Sequence, residues 1–301
     1  MIDHRGKVAV ITGAASGLGL GIARSCVSRG MKLALADIQD SELDRIAGEM
    51  QQKGSDVLAL TTDVAEVDNM EWLAHRVYQR FGEVHYLFNN AGVLGKTSML
   101  DAMLKDWEWI IGVNMWGIIH GVRAFVPRML AGGKEGHVIN IAGGAGFLSD
   151  PGLGIYRMTK HAVVALSESL YHELATIGSN IKVSVVSPAF IKTRIMEAEK
   201  NRPSRLQNIA RPLVDNPVEE AILGYFNRQV NSGSEPEAIA EAIWAGIDSQ
   251  KFYIFAPSLS EDLLTRKAIQ QRFDAIIAEE NPVNPLPALP IASLTGLDIT
   301  K

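Results

Sequence analysis

The chain has 301 residues, 47% hydrophobic and 21% charged, with a net charge of −5. There are enough apolar residues for a sizeable core, which excludes a disordered chain. The acidic balance lacks the basic face that phosphate backbones demand, so no nucleic-acid partner is expected.

The opening MIDHRGKVAVITG enters a strand at once, without a secretory h-region, and no apolar run approaches the roughly 20 residues of a membrane span. KVAVIT (7–12) is the first predicted strand, followed by the glycine-rich turn TGAASGLG (12–19) and a helix. That helix carries the single cysteine, Cys26, which allows no internal disulfide and reads as a packed thiol. These features predict a cytoplasmic protein with no membrane partner. Further strands are predicted at KLALAD (32–37), DVLALTTD (56–63), VHYLFNN (84–90), HVINIA (137–142), KVSVVSP (182–188) and FYIFAP (252–257). Continuous apolar runs separated by helical periodicity predict buried parallel strands in βαβ units. The expected fold is α/β, a Rossmann-type doubly wound parallel sheet of six or seven strands in a single domain spanning 1–260. Residues 190–235 interrupt the rhythm after the sixth strand, at the sheet end where such folds bind ligands, and suit either a substrate lid or a surface excursion. A C-terminal helix and a tail with four prolines occupy 261–301.

Glycines at a strand-to-helix turn let a pyrophosphate approach the backbone, and the helix N-terminus attracts its charge. Asp37 ends the second strand 18 residues beyond Gly19, where a carboxylate accepts from ribose hydroxyls and repels a 2′-phosphate. With no Arg or Lys beside it in ADIQD, NAD is favoured over NADP; the competing reading makes Asp37 a helix cap. Asp63 closes the third strand, where it would meet an adenine amino group or serve as an ordinary turn residue. The seven histidines form no H-x-H or HExxH cluster, so no metal site is expected.

Three ordered motifs, TGAASGLG, NNAG (89–92) and YRMTK (156–160), resemble the signature set of the short-chain dehydrogenase/reductase family over about residues 5–260. Within that family, DWEWIIGVNMWGIIHGVRAFVPRML and SPAFIKTRIMEAEKNRP are similar to bacterial enzymes that oxidise the benzylic alcohol of lignin-derived aryl ethers. The resemblance implies hydride transfer between NAD(H) and a hydrophobic, aromatic secondary alcohol or ketone. It makes Tyr156 the acid/base, Lys160 the ammonium that lowers its pKa, and Asn114 the holder of a relay water. Tyr156 and Lys160, at i and i+4, share a helix face, which agrees with those roles. The implied cofactor set is Gly13, Ser16, Gly17, Leu18 and Gly19 in the loop, then Asp37, Ile38, Asp63 and Val64. Asn90, Ala91 and Gly92 form the next wall, and Tyr156, Lys160, Pro188, Ile191 and Thr193 complete the set; Ala189 replaces a frequent glycine.

The family's catalytic serine lies 13 positions before the tyrosine, and here that position is Gly143, in NIAGGAG. Ser149 and Thr159 are the nearby hydroxyls, and glycine leaves room for a bulkier substrate at this substrate-binding position. Losing one donor to a developing oxyanion costs about 10²–10³ in rate, against total accelerations of about 10⁶ or more, so a slowed enzyme is expected. The alternatives are a silent NAD-binding protein with a sensing or partner role, and a carbonyl step with cofactor retained. The resemblance also implies a homodimer or homotetramer through helices around 101–131 and 155–177. Trp107, Trp109 and Trp116 in the first fit either an interface or an internal core.

Overall fold

The structure, a computed structural model, describes residues 3–95, 98–208, 217–257 and 262–284. All seven predicted strands form: β1 (Val8–Thr12), β2 (Lys32–Asp37), β3 (Val57–Thr61), β4 (Tyr86–Asn89), β5 (Gly136–Ile141), β6 (Ile181–Pro188) and β7 (Tyr253–Ala256). They pair in parallel throughout, in the order β3-β2-β1-β4-β5-β6-β7. The order reverses between β1 and β4, the crevice where doubly wound sheets take ligands.

Alternating strand residues feed opposite faces, which is why the runs are apolar without interruption. Ala9, Ile11, Leu33, Leu35, Phe88 and Ile139 pack with α1 (Gly17–Ser28), α2 (Asp40–Gln52) and α8 (Pro236–Asp248). Val10, Ala34, Leu87 and Val138 pack the other way, against α3 (Val67–Phe81), α5 (Gly117–Gly132) and α6 (Gly154–Thr176). Cys26 lies fully inside the first layer, where burial pushes its thiol pKa up and leaves it inert.

One expectation is corrected between β4 and β5. α4 (Leu104–Ile111), a π-helical turn (Gly112–Trp116) and α5 run end to end for 29 residues. By length and composition alone this stretch is long and apolar enough to cross a membrane, and 56% of its most apolar window is buried inside the fold. Of its tryptophans, Trp109 is buried and Trp116 half exposed.

Residues 190–208 and α7 (Pro217–Asn231) form the excursion after β6, with short 3₁₀ turns at Ile195–Asn201 and Ser204–Leu206. An Ile191–Ser234 bridge closes its base. Arg202 anchors it to α4: the guanidinium donates to Asp106 Oδ1 at 2.7 Å, Glu199 Oε1 at 2.9 Å and Leu206 O at 2.7 Å. It also lies 5.1 Å from the centroid of Trp109. After β7, α9 (Leu263–Ile277) returns to the body, where Arg272 donates to Phe147 O at 3.1 Å. The predicted proline-rich tail beyond 284 lies outside the described residues.

Removing one member of a buried ion pair strands the other. Arg202→Ala is therefore expected to destabilise the fold by about 3–5 kcal/mol, read as a shift of the denaturation midpoint. A loss within experimental error would show that the Asp106 pair does not anchor this segment.

Candidate active site

The site begins where β1 and β4 meet the glycine turn. Gly13 and Gly17 have φ of +66° and +53°, a region only glycine occupies freely. A Cβ on Gly19 would collide with the Gly13 carbonyl oxygen, and one on Gly13 would lie 2.8 Å from Ala91 Cα. Thr12, not singled out in the sequence, clamps the two walls: its Oγ1 accepts from Asn90 N at 3.0 Å and Ala91 N at 3.1 Å. Asn90 Nδ2 returns the contact to Thr12 O at 2.8 Å.

Asp37 is buried at the tip of β2. Its Oδ2 accepts from Ala15 N at 2.9 Å and its Oδ1 from Gln39 N at 3.0 Å. The carboxylate thus ties the glycine turn to the start of α2, a structural duty that leaves lone pairs for a ligand. The competing reading of Asp37 as the cap of α2 does not hold, as the α2 N-cap is Gln39 without a side-chain bond. Asp63 Oδ1 similarly holds Ala65 N at 3.0 Å.

Tyr156 and Lys160 meet on one face of α6, with Nζ 5.7 Å from the phenol ring centroid. Lys160 is 3% exposed and donates to Ile141 O, the last carbonyl of β5, at 2.8 Å. A Cβ on Gly92 would lie 3.5 Å from Asn114 Oδ1 and 3.6 Å from Lys160 Nζ, so the three positions adjoin. Asn114, in the π-helical turn, is fully buried. Its Oδ1 accepts from Val93 N at 2.8 Å and its Nδ2 donates to Val93 O at 2.9 Å and Thr159 Oγ1 at 3.3 Å. A polar chain missed in the sequence supports α6 from below: Asn89 Nδ2 to Asn140 Oδ1, Asn140 Nδ2 to Ser167 Oγ, each at 2.9 Å. Its signal was two asparagines at equivalent places on adjacent strands.

Burial raises the Tyr156 pKa, and the cation that opposes the rise is Arg157. Burial equally disfavours the ammonium, bringing Lys160 down to about 8.

Gly143 carries φ +83° and ψ 172°, a glycine-only conformation. Its N–H, like that of Ala142, donates to Val186 O, at 3.0 Å, and a 3₁₀ turn (Gly144–Gly146) follows. A Cβ here would meet nothing closer than Ala145 N at 3.9 Å, so the obstacle to a side chain is backbone, not space. Neither alternative hydroxyl serves. Ser149 is exposed, and Thr159 Oγ1 is committed to Tyr156 O at 2.7 Å.

One continuous cavity of about 1390 Å³ holds all of this, larger than the roughly 300–1,000 Å³ of a single-ligand pocket. The glycine turn, Asp37, Ile38, Asp63, Val64 and Asn90 line one end, and Gly143, Tyr156 and Lys160 the middle, with Pro188, Ile191 and Thr193 alongside. Gly19 and Asn114 are the exceptions among the predicted site residues: Gly19 lies in the floor behind Gly13, and Asn114 is buried behind Val93. Leu94, Leu153, Met196, Phe226 and Val230 build an apolar wall at the far end, with Tyr225 beside them. Tyr225 and Phe226, contributed by α7, were not anticipated; residues 209–216 of that segment lie outside the described residues.

A profile of short chain dehydrogenases matches residues 7–204. The chain belongs to the short chain dehydrogenase family. It is 33% identical to a C alpha-dehydrogenase of Sphingobium sp. (strain NBRC 103272 / SYK-6), over 94% of this chain and 89% of that one. A solved short chain dehydrogenase/reductase from Burkholderia phymatum in complex with NAD superposes with a TM-score of 0.88. It is 38% identical, over 95% of this chain and all of that one. The apo form of LigD from Sphingobium sp. strain SYK-6 gives a TM-score of 0.74 at 29% identity, covering 93% of this chain and 100% of its own. The chain is thus an oxidoreductase of this family, and the fold and family anticipated from the three motifs are those found.

Two outcomes follow from the site's energetics. A lysine pKa lowered on folding makes the native state bind fewer protons than the unfolded one, so its penalty is fully present below about pH 8 and fades towards the unfolded value. Relative to Lys160→Met, wild type should gain about 2–3 kcal/mol of stability between pH 7 and pH 10, measured by denaturant unfolding. A pH-independent difference would contradict the burial of a titrating ammonium. Gly143→Ser should lose about 1–3 kcal/mol through backbone strain, whereas Gly144→Ser, with open space and ordinary φ, should be tolerated. Equal stability of the two variants would refute the strain.

Proposed function

We propose that the chain transfers hydride between NAD(H) and a hydrophobic, aromatic secondary alcohol or ketone. The observation that carries this reading is the single cavity with a dinucleotide cradle at one end and Tyr156 under an apolar, aromatic wall at the other. The cradle fits NAD: a Cβ at Gly13 or Gly19 would clash with neighbouring backbone, so the glycines keep the turn tight against the N-terminus of α1, which attracts a pyrophosphate, and Asp37 stands where ribose hydroxyls would be read. Asp63, Val64, Asn90, Ala91, Gly92, Ile191 and Thr193 are the remaining contacts of this proposal. NAD would supply the hydride acceptor, and its positive nicotinamide would favour phenolate at Tyr156.

Tyr156 removes the hydroxyl proton in oxidation and returns it in reduction. Lys160, held by Ile141 O, places its amine beside the phenol, charged below about pH 8. Asn114 spends its side-chain amide on Val93 and Thr159, so a relay water would rest on its main-chain carbonyl. With no hydroxyl at Gly143, the substrate oxygen is held by Tyr156 and by the fit of the rest of the substrate. The 190–208 segment and α7 act as the lid over that substrate, and their aromatic side chains match the aryl group proposed.

Because burial raises Tyr156, oxidation should accelerate with rising pH beyond neutrality, while ketone reduction should be faster at neutral pH. NADH formation from a panel of aryl carbinols, read from pH 6 to pH 10, tests this. Tyr156→Phe should lower the rate by about 10²–10⁴-fold. Tight NAD binding without turnover across the panel would instead favour a silent cofactor-binding protein, and a preference for NADP would overturn the role given to Asp37.

A further inference from the structure

The residue after the tyrosine is a buried charge in an apolar wall. Arg157 Nε donates to Asp150 Oδ1 at 2.9 Å, and Nη2 donates to Asp150 Oδ2, a bidentate pair. Nη1 donates to Leu148 O at 3.3 Å. The two side chains are only 11% and 2% exposed, yet both line the cavity. A guanidinium has five N–H groups, so two remain without an acceptor among the described residues. Around them the wall is apolar: the guanidinium carbon lies 6.0 Å from the Phe226 centroid, with Leu153 and Met196 in the same cluster. Donors left unpaired against such a wall are unfavourable until an acceptor arrives.

We propose that Arg157 is a specificity residue of this cavity, donating from its uncommitted N–H groups to a neutral acceptor oxygen on the substrate, such as an ether, phenol or second carbonyl. Consecutive helical residues point about 100° apart, so Tyr156 and Arg157 address two parts of one ligand. Asp150 already neutralises the guanidinium, and burial raises its carboxyl pKa against the pull of Arg157, so a second carboxylate would compete for the same fork. A neutral oxygen does not. A few placed polar groups in an apolar pocket are what orient a ligand. The inference rests on the dehydrogenase reading for the reacting carbon, but its binding consequence stands apart from turnover.

The test compares isosteric pairs that differ only by an oxygen. One pair is para-methoxyphenyl methyl carbinol against para-ethylphenyl methyl carbinol; the other is phenoxymethyl phenyl carbinol against phenethyl phenyl carbinol. Dissociation constants are measured by calorimetry with and without NADH, and oxidation by NAD is followed separately. Wild type should bind the oxygen-bearing member of at least one pair about tenfold or more tightly. Arg157→Met should bring that ratio near one while changing the carbon isostere less than about threefold; Arg157→Lys, keeping charge without the fork, should retain part of it. A ratio unchanged in Arg157→Met, equal losses for both members, or no ratio in wild type overturns the proposal. A binding ratio without turnover would sink the dehydrogenase reading and leave this one standing.

Discussion

Lys160 places an ammonium 97% out of solvent, donating to the carbonyl at the end of β5. Much of the surrounding architecture can be understood as the means of holding that group. The 23-residue α6 carries it, and the Asn89–Asn140–Ser167 chain fastens α6 to the sheet. The π-helical turn brings Asn114 against Val93 and Thr159, closing the space beside it. A buried cation with a depressed pKa is a liability for stability, and such liabilities concentrate where chemistry needs them.

The glycine at 143 changes meaning once its backbone is considered. From sequence it is a missing hydroxyl; in the fold it is also a turn with φ +83°, hydrogen-bonded to β6 and leading into a 3₁₀ turn. Restoring serine would alter the main chain as well as the side chain. In the function proposed, the substrate oxygen therefore depends more heavily on Tyr156 and on the distal part of the cavity, where the Arg157–Asp150 pair interrupts an apolar wall.

Two ion pairs tie the 190–208 segment to the helices across the cavity. The buried Arg202–Asp106 pair joins it to α4, and the exposed Arg205–Glu66 pair reaches the α3 N-terminus. The first is well shielded and rigidifying, the second screened by salt and weak. The contact of Arg202 with α4 is thus firmer than that of Arg205 with α3.

Periodicity and turn chemistry are local codes, and they were sufficient for much of this protein. Seven apolar runs became seven parallel strands because each alternating side chain meets a helix on its own face, and glycines at 13, 17 and 19 mark a turn that tolerates no side chain. Tyr156 and Lys160 share a helix face by spacing alone. The chain by itself therefore determined the fold, the family and the candidate pair. Tertiary structure alone decided that the Lys160 side chain is buried and donates to Ile141 O. It also decided that Ser149 and Thr159 cannot stand in for a serine, that α7 supplies the aromatic wall, and that Gly143 needs a positive φ. Those outcomes depend on desolvation and on contacts between residues distant in sequence, and neither quantity is carried by any local pattern.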